Sequence, residues 1–209
     1  MKHRRKYSRR RLVVCGILAV LCLLLATGEI IYLINPRQFS KLLPTVAAMA
    51  VLELPDDESY PAGPLPAGLK YDRLYLEKSA RKLTAYAGDK PVRVYLVALG
   101  TNPLGHKEYQ GDRKTPEGKY SVDGKNPNSS YYKNLGVSYP NAADKAYAQK
   151  LGKSPGGDIK IHGLAPSFAY VGSAHRLSDW THGCIAVTNE EMEELYNHTA
   201  VGVPIEIVP

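Results

Sequence analysis

Asp179-Trp180-Thr181-His182-Gly183-Cys184-Ile185-Ala186-Val187-Thr188-Asn189 is the stretch on which the reading of this chain turns. It begins polar, passes a glycine and becomes apolar from Ile185 to Val187, as a loop entering a buried strand does. Thr188 and Glu191 then have capping-box spacing, and Met192, Leu195, Tyr196 and Thr199 come after them at helical intervals. Cys184 therefore stands where a loop meets a strand, with a helix close behind. A thiol is a weak nucleophile at its free pKa of about 8.5, so reactivity calls for a base beside it. His182 is two residues away and shares a face with Cys184 if the segment is extended. Gly183 lets backbone and substrate approach closely. The amides around Cys184 can face a developing oxyanion.

Upstream, Ile159-Lys160-Ile161 reads as a strand ending at His162 and Gly163, which makes His162 a second candidate base at a rigid strand end. From Tyr71 onward the chain alternates in short runs, Arg73 to Glu77, Lys82 to Ala87, Val92 to Leu99 and Lys119 to Val122. Thr115-Pro116-Glu117-Gly118 has the composition of a type I turn. Asn141 is placed to cap a helix from Ala142 to about Leu151, and Val203 to Val208 closes the chain as a strand. The expected domain, residues 71–209, is mainly β with two short helices.

The N-terminal part is of another kind. Residues 1–11 hold seven basic side chains and no acidic one, out of 27 Lys and Arg against 20 Asp and Glu in the whole chain. Without that tail the charges balance, so the basic excess is not spread over a domain surface as a nucleic-acid binder requires. Residues 12–34 are apolar apart from Glu29. As a helix they reach roughly 35 Å, enough for a hydrocarbon core of about 30 Å. A transmembrane anchor with the tail kept inside is expected, and a cleaved signal peptide is the alternative; both export the remainder of the chain. Residues 35–70, broken by six prolines, read as a semi-extended spacer. Cys15 and Cys22 lie in the apolar segment, which leaves Cys184 as the lone cysteine of the exported part. A small buried residue is the plain account of such a cysteine. A zinc site pooling His162, His175, His182 and Cys184 has suitable ligand types but no close-spaced ligand pair.

Ile159-Lys160-Ile161-His162-Gly163, a long loop, and then Thr181-His182-Gly183-Cys184 with Thr188-Asn189 resemble the signature of the YkuD-type L,D-transpeptidase domain. The likeness extends to Leu83-Thr84-Ala85-Tyr86, Val97-Ala98-Leu99-Gly100 and Gly111-Asp112-Arg113-Lys114-Thr115-Pro116-Glu117-Gly118, and so covers most of 71–209. Ser138-Tyr139-Pro140-Asn141 and the stretch from Asp179 to Asn189 resemble a YafK-like branch. Ala186 stands where the commoner transpeptidases carry an arginine. The resemblance implies a β-sandwich-like fold with short helices and acyl transfer on peptidoglycan stem peptides without a cofactor. It implies Cys184 as nucleophile, His162 as proton carrier, the Gly163 carbonyl orienting His162, and Thr181, His182 and Gly183 shaping the acyl site. The acceptor stays open: a second stem gives cross-linking, a lipoprotein lysine gives anchoring, and water gives a carboxypeptidase or an amidase that frees a wall-anchored lipoprotein. A non-enzymatic wall-binding module is the reading from a different class. The expected place of the domain is the periplasmic side of a bacterial inner membrane.

Overall fold

The computed structural model describes residues 63–209. They belong to the second of the two units into which the chain divides, Met1–Met49 and Ala50–Pro209. The expected tail and anchor, and most of the spacer, lie outside the described residues. Among the described residues no helix is long and apolar enough to cross a membrane.

Eight strands and two α-helices make up the domain. In chain order they are β1 (Arg73–Glu77), β2 (Lys82–Ala87), β3 (Lys90–Leu96), β4 (Gly118–Ser129), β5 (Tyr132–Val137), α1 (Ala142–Lys150), β6 (Lys160–His162), β7 (Ile185–Ala186), α2 (Asn189–His198) and β8 (Pro204–Val208). The strands form one sheet in the order β3-β2-β1-β8-β4-β5-β6-β7. The pairs β1–β8 and β6–β7 are parallel and the others antiparallel. Alternation sets which face is covered: Leu74 and Leu76 of β1 lie opposite Ile205 and Ile207 of β8, and all four are buried. Met192 and Leu195 of α2 join the same core. Each such side chain contributes about 1.5–3 kcal/mol by leaving water.

The mainly β expectation holds, but the layout is a rolled sheet and not a sandwich. β4 is the reason. Its first residues pair with β8 and its later ones with β5, so one twelve-residue strand carries the sheet around the corner. The roll brings its ends together. Ala98, just past β3, exchanges backbone hydrogen bonds of 3.0 and 2.8 Å with Ala186 of β7.

Both helix caps form as read. Asn141 Oδ1 accepts from the amides of Ala143 and Asp144, and Asp144 answers the Asn141 amide at 2.8 Å. Thr188 Oγ1 accepts from the Glu191 amide, and Glu191 accepts from that of Thr188 at 2.8 Å. Such caps stabilise a helix end by about 1 kcal/mol. Three readings change. The strand expected over 119–122 runs on to Ser129 and folds back as β5. No turn forms at Thr115–Gly118, where the Glu117 amide is drawn to His106 Nδ1 at 3.0 Å and Gly118 opens β4. The loop after His162 contains two 3-10 turns over Ala169–Leu177, broken at Gly172.

Candidate active site

The site lies where β6 and β7 end side by side. Ile161 pairs with Ile185 and His162 with Ala186. One step back, that register sets Lys160 opposite Cys184, so Lys160, His162 and Cys184 emerge on one face while Ile161 and Ile185 point into the core. His162 and Cys184 line one cleft of about 620 Å³, together with Thr181, His182, Trp180, Tyr131 and the polar end of the β4–β5 hairpin.

The imidazole of His162 is buried and its Nδ1 is 2.7 Å from the Gly163 carbonyl oxygen. A carbonyl only accepts, so Nδ1 carries the proton and Nε2 keeps its lone pair. Tyr131 packs on the ring at 4.7 Å between centroids and Trp180 meets it edge-on at 5.7 Å. Asn189 holds the next residues, its Oδ1 accepting from the Leu164 amide at 2.7 Å. A Cβ on Gly163 would sit 2.5 Å from that same oxygen, so only glycine lets the chain pass between Asn189 and Tyr131.

Cys184 is a free, partly covered thiol whose Sγ points at the Asp158 carbonyl, 3.6 Å away. The turn before it is closed by Thr181. Its buried hydroxyl donates to the Cys184 carbonyl at 2.7 Å and accepts from the Gly183 amide at 3.0 Å. Gly183 has φ +128°, and a Cβ there would lie 2.6 Å from the Lys114 carbonyl oxygen. Thr181 is fixed in turn by backbone hydrogen bonds of 3.0 Å to Leu99 and Thr101. Gly100 packs so tightly beneath that a Cβ would fall 2.1 Å from the Arg113 carbonyl oxygen. Asp179 ties the loop to the sheet, accepting from the Leu99 amide at 2.8 Å and pairing with Arg81 at 2.7 Å.

Burial dominates the electrostatics. It pushes the His162 pKa below that of an ordinary histidine, against the raising effect of the Gly163 carbonyl. It pushes the Cys184 thiol above an ordinary cysteine, with the Asp158 charge adding to it, while the amide and charge of Lys160 pull the other way. At rest the nearby base does not ionise the thiol: both groups are neutral at pH 7, and among the described residues no hydrogen bond links them. His175 is buried against Trp180 and held down to about 4, first by burial and then by the Arg176 and His162 charges. Among the described residues no three His, Cys, Asp or Glu side chains are grouped to hold a metal ion.

Of the six expected site residues, His162, Thr181, His182 and Cys184 line the cleft, while Gly163 and Gly183 stand beside them in the chain and do not line it. His162, Thr181 and Gly183 are buried, Cys184 is partly covered, and His182 is exposed on the rim. Tyr131 and the hairpin that carries it are absent from the sequence expectations. Their only sequence signal, Asn126 to Tyr132, reads as a polar loop.

Several known proteins resemble this chain. The model of the L,D-transpeptidase catalytic domain, YkuD, matches residues 72–207. The YafK protein of Escherichia coli K12, named among the L,D-transpeptidases, is 34% identical over 104 residues, 49% of this chain and 35% of YafK. The match thus spans about a third of that relative. Among solved structures, the helical cell shape determining protein Pgp2 of Campylobacter jejuni is 28% identical over 66% of this chain and 48% of its own, with a TM-score of 0.47. L,D-transpeptidase 1 of Mycobacterium tuberculosis is 17% identical over 65% of this chain and 60% of its own, with a TM-score of 0.40. Over residues 72–207 this chain belongs to the YkuD family of L,D-transpeptidase catalytic domains.

Proposed function

We propose that the domain transfers acyl groups from peptidoglycan stem peptides through a thioester on Cys184. The observation that carries the proposal is the fixed tautomer of His162, whose free Nε2 belongs to the cleft that also holds the thiol. Nε2 takes the Sγ proton as sulfur attacks the scissile carbonyl carbon. The resulting oxyanion is met by the Cys184 amide, since the Gly183 amide is already committed to Thr181. On collapse the C–N bond breaks and His162 returns the proton to the leaving amine, which leaves the thioester. An incoming amine then loses its proton to Nε2, attacks the thioester and releases the thiol. Starting from two neutral groups places the proton transfer within the reaction, as in serine hydrolases, and needs no resting ion pair. Thr181 and Gly163 serve as positioning residues in this scheme, and His182 meets substrate at the rim.

Transfer to an amine is the reading preferred over hydrolysis of the same bonds, and a carboxypeptidase or lipoprotein-releasing amidase would share every step except the last. Incubation with disaccharide-tetrapeptides, followed by mass spectrometry, tests both. An acyl adduct on Cys184 with cross-linked dimers is expected. Loss of a terminal residue alone would indicate hydrolysis, and product formation by Cys184→Ala would overturn the scheme.

The proposal includes the placement of the enzyme. Residues 1–11 stay inside, 12–34 anchor the chain in the inner membrane, 35–70 act as spacer, and 71–209 work on the periplasmic side. Protease added to spheroplasts should digest the domain; a protected domain would refute this topology.

A further inference from the structure

One charged side chain in the cleft has no part in the proton transfers above. Lys160 stands two residues before His162 on β6, so the two side chains leave the strand on the same face. Among the lining residues it is the only lysine or arginine, and Asp158 is the only carboxylate. The rest of that wall is neutral and polar, with Asn126, Asn128, Ser129 and Asn134. Space has been left for the lysine. Gly136 lies opposite Lys160 in the β5–β6 register, and a Cβ there would come within 3.3 Å of Nζ and 2.0 Å of Asp123 Oδ1 from β4.

The partner of Lys160 is easily displaced. Nζ is 3.1 Å from Asp158 Oδ1, but the Asp158 side chain is 89% exposed and that of Lys160 30%. An ion pair with so open a partner holds only weakly. A carboxylate delivered with a bound substrate competes against it. Reach fits as well. A lysine ammonium stands roughly 6 Å from its Cα, and a carboxylate one residue from the scissile carbonyl lies roughly 5 Å from that carbon.

We propose that Lys160 is a specificity-determining residue that grips a free carboxylate of the stem peptide within one residue of the bond exchanged at Cys184. This rests on the acyl-transfer reading of the same cleft. Two carboxylates share the chemistry, the C-terminal one of the departing residue and a side-chain one on the acyl-donating residue.

The test uses the full chain in detergent and three disaccharide-tetrapeptide donors: unmodified, C-terminally amidated, and amidated on the side chain. Acylation is read as kcat/KM. In the native protein, amidating the gripped carboxylate should cost about tenfold or more, the usual scale for a hydrogen bond to a charged group. Which amide costs it identifies the carboxylate. In Lys160→Met the preference for the free acid should fall to within about twofold, and Lys160→Arg should keep most of it. The ratio is the informative quantity, because a changed thiol pKa would slow all three donors equally. Lys160→Gln serves if the methionine variant folds poorly. Equal rates on all donors in the native protein, or a preference unchanged without the ammonium, would overturn the proposal. Failure of the underlying reading looks different: Cys184→Ala would then still form product.

Discussion

Replacing Thr181 by valine keeps the shape of the side chain and removes only the hydroxyl. Two hydrogen bonds disappear, one to the Cys184 carbonyl at 2.7 Å and one from the Gly183 amide at 3.0 Å. Each contributes about 0.5–1.5 kcal/mol net, and a buried amide left without a partner costs about 1–3 kcal/mol more. These terms overlap, so the expected destabilisation is about 2–4 kcal/mol. In a domain of this size about 1 kcal/mol moves Tm by roughly 3–5 °C, so a fall of roughly 6–20 °C is expected. Catalysis should suffer separately, because the freed turn no longer fixes Sγ, and a displacement of about 1 Å can cost about 100-fold. Thermal unfolding and the rate of acyl-enzyme formation measure the two effects, with Thr181→Ser as the control that keeps the oxygen. If Thr181→Val unfolds within about 0.5 kcal/mol of the native protein and acylates at the native rate, the hydroxyl does not hold the turn and the reasoning is wrong.

Three further outcomes are expected from the same geometry. The competent form of His162 is neutral and burial lowers its pKa, so the acid limb of kcat/KM should fall below the ordinary histidine value of about 6.5; a limb at or above it would contradict the assignment of the base. His175, lowered to about 4, favours the folded state when neutral, so stability should be complete above about 6.5 and be lost as pH falls toward 4, by at most about 3 kcal/mol. Urea unfolding across that range should show the slope, and His175→Phe should flatten it. Gly100→Ala drives a Cβ to 2.1 Å from the Arg113 carbonyl oxygen, with the Gly183 Cα at 3.1 Å, and should cost about 3 kcal/mol or more together with activity; a native Tm would mean the two loops part freely.

Much of this arrangement is legible in the sequence because its causes are local. Alternation locates β1 and β2 at their observed limits, and both caps arise from a side chain reaching three residues along its own helix. The β4–β5 hairpin is illegible for the opposite reason. Asn126, Pro127, Asn128 and Ser129 have turn composition, yet they complete β4, whose pairing with β5 at Asn126 and Ser129 spans a register shift. The site divides in the same way. The motif identifies His162 and Cys184, whereas Tyr131 reaches His162 only because that hairpin folds back over the cleft. The thiol pKa is not legible at all, because spacing reveals a neighbouring base but not how much water the fold removes.

The hydrogen bonds between Ala98 and Ala186 join segments that lie far apart along the chain, and the Thr181 turn hangs from the same seam through Leu99 and Thr101. Contacts of such long sequence separation close late, because their loop entropy is lost before they return any energy. The turn that holds Cys184 therefore takes shape only when distant parts of the sheet close on one another, as β1 and β8 also do. An unfolded chain would carry the Cys184 thiol with no Thr181 turn around it and no His162 beside it. In a refolding experiment, far-UV circular dichroism should recover first and acylation only with the slowest phase; simultaneous recovery would show that the seam forms early.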